Sequence, residues 1–104
     1  MKPEITYYKS GQIKTEMWRD VDGKDHRLDG PARQYWFENG QLEWEVWCVN
    51  GKYHRLDGPA YQAWLENGQL IWRLWYISGV KYETEAEFQV AVDLYKANEI
   101  AELF

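Results

Sequence analysis

Residues 51–75 read GKYHRLDGPAYQAWLENGQLIWRLW, and residues 23–47 read GKDHRLDGPARQYWFENGQLEWEVW. The spacing between the two copies is constant: His26 to His54, Asp29 to Asp57, Pro31 to Pro59, Trp36 to Trp64 and Trp47 to Trp75 are each 28 residues apart. Partial copies flank them. The segment YYKSGQIKTEMW aligns Gly11, Gln12, Ile13 and Trp18 with Gly40, Gln41, Leu42 and Trp47, and YISGVKY echoes CVNGKY before the pattern stops. Atypical terminal copies are what a repeat array needs as caps. Trp18 to Gly23 holds one residue more than Trp47 to Gly51, which predicts a β-bulge there.

Each unit reads as two short strands. Asn39-Gly40 and Asn67-Gly68 separate alternating segments, the strongest two-residue hairpin signal, because both residues tolerate positive φ. Asn50-Gly51, Asp22-Gly23, Ser10-Gly11 and Ser78-Gly79 supply the complementary turns. Closing the hairpins at the two Asn-Gly pairs sets Phe37 opposite Leu42, Tyr35 opposite Trp44 and Arg33 opposite Val46. It likewise sets Leu65 opposite Leu70, Ala63 opposite Trp72 and Tyr61 opposite Leu74. With Ile13, Thr15, Met17 and Cys48 these form an apolar face. The other face carries Lys14, Glu16, Glu43, Glu45 and Arg73 together with Trp18, Trp36, Trp47, Trp64 and Trp75, and is expected to be wet.

A single sheet leaves its apolar face unburied. Residues 85–103 lack Gly and Pro, and Thr84-Glu85-Ala86-Glu87 is a capping-box pattern, so a helix is expected to cover that face through Phe88, Ala91, Val92, Tyr95 and Ile100. The expected fold is α+β, a twisted antiparallel β-meander of tandem hairpin repeats with one C-terminal α-helix. Residues 1–82 form the sheet and 84–104 the helical region of one domain.

Bulk composition narrows the function. Aromatic residues make up 17% of the 104, including seven Trp and eight Tyr, which suits strands and contact surfaces. A net charge of −5 argues against an electrostatic grip on nucleic acid or anionic lipid. The single Cys48 leaves no intramolecular disulfide, and the N-terminus has no apolar signal region. No apolar run approaches the roughly 20 residues that span a bilayer. A cytoplasmic protein without cofactor is expected.

The unit N-G-K-x-H-R-x-D-G-P-A followed by an aromatic strand and Asn-Gly resembles the MORN repeat and its variants. Gly51-Lys52-Tyr53-His54 with Asn67-Gly68 carry the likeness, as do Gly23-Lys24 to His26 with Asn39-Gly40. The H-R-L-D-G-P-A form is similar to that of small phage and bacterial proteins, some described as antitoxin-like. The resemblance covers about residues 8–82 and implies a β-meander scaffold for protein contacts, with no enzymatic activity. Ordinary MORN units are shorter and have Gly where Arg-Leu-Asp-Gly-Pro stands here, which undercuts a lipid-binding role.

Three sets of residues are candidate sites. Trp18, Trp36, Trp47, Trp64 and Trp75, with Glu43, Glu45 and Arg73, form a partner-binding platform for a protein on the wet face. His26, Arg27, Asp29, His54, Arg55 and Asp57 form either two anionic-ligand pockets or the framework of the repeat, and framework is the stronger reading. As metal ligands they are too few per unit to close a zinc site. Catalytic residues are not expected: there is no nucleophile elbow or phosphate loop, and Cys48 falls among core residues opposite Tyr53. The function that follows is a non-enzymatic binding protein, phage- or mobile-element-encoded, that masks or inhibits a host defence protein. A sponge for a nucleotide signal and an antitoxin or immunity protein are the alternatives. Self-association through a sheet edge or the helix is a further expectation.

Overall fold

The computed structural model describes residues 2–103. Nine strands and one helix follow in order: β1 (Glu4–Tyr7), β2 (Ile13–Met17), β3 (Arg33–Trp36), β4 (Leu42–Val46), β5 (Cys48–Val49), β6 (Lys52–Tyr53), β7 (Tyr61–Trp64), β8 (Leu70–Ile77), β9 (Val80–Tyr82) and α1 (Glu85–Ala101). The fold is α+β, an open antiparallel meander ordered β1-β2-β3-β4-β7-β8-β9, with β5–β6 as a separate hairpin. The Cα envelope measures 53 × 33 × 16 Å.

The predicted central register holds. Arg33 pairs with Val46 and Tyr35 with Trp44; Tyr61 pairs with Leu74 and Ala63 with Trp72. Near the Asn-Gly turns it shifts by one residue, so Trp36 pairs with Leu42 and Trp64 with Leu70, in place of the expected Phe37–Leu42 and Leu65–Leu70. The cause lies in the turn. Gly40 alone takes positive φ (88°), its N–H donates to the Phe37 carbonyl, and the Phe37 N–H donates to the Gln41 carbonyl. This is a three-residue loop with a glycine bulge, not a two-residue turn. The Asn39 side chain caps it by accepting from the Gln41 N–H at 2.9 Å.

Two-residue turns do occur, one per later unit, at Asn50-Gly51 and Ser78-Gly79, where both residues have positive φ. In the first unit the equivalent turn is longer: Gly23 donates to Asp20 and Asp20 to Lys24. The extra residue between Trp18 and Gly23 is thus absorbed in a glycine bulge, as its spacing predicted.

The helix forms where expected, with Thr84 as N-cap accepting from the Glu87 N–H at 3.1 Å. Phe88 and Val92 are buried and Ala91 and Tyr95 pack beside them, whereas Ile100 stays exposed. Its docking site differs from the expectation. Phe88 and Val92 pack on Ile77, Trp75, Leu56 and Tyr82, so α1 lies on the face that carries the tryptophans. A second cluster, Ala32, Val46 and Cys48 with Trp44 and Tyr61, holds the middle of the sheet.

Candidate interaction faces

On the face that carries Trp18, Trp47 and Trp75, a polar row crosses five strands. Register aligns Glu16, Gln34, Glu45, Gln62 and Arg73. Both oxygens of Glu45 accept, one from the Gln34 amide and one from the Gln62 amide, each at 3.1 Å. Glu16 accepts from the Trp18 indole N–H at 2.9 Å. Glu43 is half-buried and Arg73 exposed.

The His-Arg-Leu-Asp-Gly-Pro turns fold over this face. The Arg27 guanidinium sits 4.5 Å from the Trp18 ring centroid and that of Arg55 sits 4.0 Å from Trp47. Each arginine also binds its own turn: Arg55 reaches Asp57 at 2.8 Å and the Pro59 carbonyl at 3.2 Å, and Arg27 reaches Asp29 at 3.1 Å and Pro31 at 3.4 Å. Gly30 and Gly58 let the arginine cross them closely. A Cβ there would stand 2.7 Å from Arg27 Cζ and 3.0 Å from Arg55 Cζ. Arginine suits this role because its flat guanidinium stacks on a ring while its edge donates hydrogen bonds.

The histidines join one unit to the next. His26 Nδ1 accepts from the Asn50 N–H and His54 Nδ1 from the Ser78 N–H, both at 2.9 Å. These N–H groups belong to the residues with positive φ in the two-residue turns. Burial lowers the His54 pKa, opposed by the nearby Glu99 carboxylate, which favours the neutral ring that this acceptor role needs.

The tryptophan platform is therefore closed. Trp18 and Trp47 lie beneath arginines and Trp75 beneath α1, while Trp36 and Trp64 are half-buried beside the Asn-Gly turns. Five of the six residues of the ligand reading, all but His26, line one cleft of about 330 Å³ with Trp47. Its two arginines and two aspartates neutralise one another. Cys48 is buried, and burial together with Asp25 pushes its thiol pKa up to about 12, although Arg33 acts the other way. Among the described residues no three His, Cys, Asp or Glu side chains converge as a metal site.

The opposite face is not covered by α1 and is exposed at its β8 end. Register lines up Thr15, Tyr35, Trp44, Ala63 and Trp72, with Met17, Arg33, Val46, Tyr61 and Leu74 as the adjacent row. Tyr35 and Trp44 stack at 4.2 Å between centroids, and Tyr61 continues the stack at 6.2 Å. At its end Tyr53, Tyr61, Trp72, Leu74 and Lys81 line a shallow depression of about 510 Å³. Trp72 is 55% exposed and Tyr53 38%. Sequence alternation assigned Tyr35, Trp44, Tyr61, Trp72 and Leu74 to one face correctly; the expectation that the helix covers it left them out of the candidate site. The available signal was the third unit itself: Tyr82-Glu83-Thr84-Glu85-Ala86-Glu87 stands where His-Arg-Leu-Asp-Gly-Pro stands in the others, so Trp75 has no arginine cover.

Among the described residues no helix is long and apolar enough to cross a membrane. Compared with known proteins, the chain matches no family model, no curated protein and no solved structure.

Proposed function

We propose that the chain is a non-catalytic binding scaffold that holds a partner protein against the aromatic face of Tyr35, Trp44, Tyr61 and Trp72, at its exposed Trp72 end. The observation that carries this reading is Trp72, a large ring left 55% exposed at the rim of a stacked aromatic row that no helix covers. Exposed aromatic rings around a shallow depression are the anatomy of a contact hot spot. The setting we propose is the cytoplasm of a bacterial host, with the chain as a phage- or mobile-element-borne MORN-variant protein that masks a host protein.

Affinity capture from host lysate tests it. One dominant protein retained by the unaltered chain and by Ile5→Lys, but lost with Tyr53→Ala plus Trp72→Ala, supports the reading. Retention by the double variant, or no specific capture, overturns it. A second reading, a small anionic ligand in the Arg27–Arg55 cleft, rests on the convergence of five polar side chains there. It is weaker because both guanidinium groups are already bound to their own turns. A thermal shift with cyclic nucleotides that disappears in Arg27→Ala plus Arg55→Ala would favour it.

A further inference from the structure

Two unit-to-unit junctions inside the sheet share one geometry. β2 meets β3 through Thr15–Tyr35, Glu16–Gln34 and Met17–Arg33, and β4 meets β7 through Trp44–Ala63, Glu45–Gln62 and Val46–Tyr61. In both, the second strand of one hairpin receives the first strand of the next. The sheet ends on the same two strand types. β8 is a second strand, and among the described residues its Leu70–Leu74 segment pairs only with β7, since β9 takes Trp75–Ile77. β1 is a first strand and, among the described residues, pairs only with β2.

We propose that β1 of a second copy of this chain docks antiparallel along Leu70–Leu74 of β8, repeating the β4–β7 junction between molecules. The repeat fixes the register: Trp72 opposite Thr6, Arg73 opposite Ile5 and Leu74 opposite Glu4 of the other copy. Trp72 would meet the small Thr6 as Trp44 meets Ala63 within the chain. Both edges are bare. Every residue of β1 is exposed, and Leu70, Ile71 and Trp72 are 38%, 45% and 55% exposed, whereas the internal equivalents Trp44 and Ala63 are half-buried and buried. No proline lies within Glu4–Tyr7 or Leu70–Leu74, and each segment has a single charge, Glu4 beside the Met17 row and Arg73 on the other face. α1 packs at the Trp75–Ile77 end of β8. Because the two edges differ, the contact is head-to-tail and propagates, unlike a two-fold β8–β8 contact, which closes at a dimer.

The test is the mass of the purified chain against concentration by sedimentation equilibrium, so its outcome is independent of whether the aromatic row holds a partner. The expected result is a mass that rises past two chains without a plateau. Ile5→Lys on β1, which sets a cation against Arg73, and Trp72→Lys on β8 should each be monomeric, with unchanged circular dichroism because both positions are exposed. An equal mixture of the two variants should form a complex of two chains, since each contributes one intact edge. A further variant, Ile5→Lys with Arg73→Glu in one chain, should regain self-association through the new charge pair. A monomer at every concentration overturns the proposal. So does a dimer that Trp72→Lys abolishes and Ile5→Lys leaves intact, which would be the two-fold contact.

Discussion

Arg55 is clamped between Trp47 and Gly58: its guanidinium lies 4.0 Å from the indole centroid, and a Cβ on Gly58 would stand 3.0 Å from its Cζ. Arg27 repeats the arrangement between Trp18 and Gly30. Arg55→Ala removes a stacked cation and a charge-assisted bond to the Pro59 carbonyl, a loss of about 1–2 kcal/mol in urea unfolding. Asp57 is largely exposed, so Asp57→Ala should cost well under about 1 kcal/mol. Gly58 has no left-handed φ, so Gly58→Ala acts only by displacing the arginine. Its cost should therefore nearly vanish in the Arg55→Ala background, and a double-mutant cycle with additive costs would refute the clamp.

His54 makes stability depend on pH. Its Nδ1 accepts from the Ser78 N–H, and a proton there would set donor against donor. Its folded pKa lies below the ordinary value, from burial first and against the opposing pull of Glu99. The unfolded state then binds more protons as pH falls, so this contribution is complete above about pH 6.5 and is lost as pH drops through the lowered folded value. Urea midpoints should fall between about pH 7 and about pH 5. The fall should be shallower in His54→Gln, whose neutral side chain has nothing to titrate; equal slopes would remove His54 as the cause.

The repeat, the hairpin pairing and the helix were legible because each rests on local signals: alternation, glycine at left-handed positions and the Thr84 cap. The loop around Gly40 was misread because Asn-Gly serves two turn types, and only hydrogen bonding separates them. The covered face was misread for a longer-range reason. Alternation separates Trp44 from Glu45 but does not say which side receives the next layer, and here polar turns and α1 cover the side with the glutamates. Tyr35, Trp44 and Tyr61 read as core and are half-buried, the last two beside Val46 and Cys48, whereas Trp72 at the end of the sheet is left exposed.

Cys48 should behave as inert core. It is 1% exposed and its thiol is pushed up to about 12, so almost no thiolate exists at neutral pH. Labelling by a thiol reagent should be slow in buffer and should accelerate in step with global unfolding as urea is added. Fast labelling of the folded chain would mean that the sheet opens at the β5–β6 hairpin.

Phe88 tests α1 as the cap of the array. Its ring, 3% exposed, packs with Val92 and Ile77 over Trp75. Phe88→Ala should cost about 3–5 kcal/mol if the cap folds as one unit with the sheet. The exposed Val90→Ala on the same helix should cost less than about 1 kcal/mol. Should Phe88→Ala release only the helix, proteolysis would cut residues 85–101 while the sheet's near-ultraviolet circular dichroism persists.

Ser78 offers a stabilising change. It holds φ 48° in a two-residue turn where the equivalent Asn50 holds φ 53°. Left-handed backbone is costly for most residues and least so for glycine and asparagine, whose short amide supports the turn locally. Ser78→Asn keeps the N–H that His54 accepts and should stabilise by about 0.5 kcal/mol, while Asn50→Ser should destabilise by a similar amount. The Ser78 hydroxyl stands 3.5 Å from His54 Nδ1, at the limit of a hydrogen bond. A neutral or destabilising Ser78→Asn would mean that this hydroxyl contributes more to the joint between units than the backbone preference does.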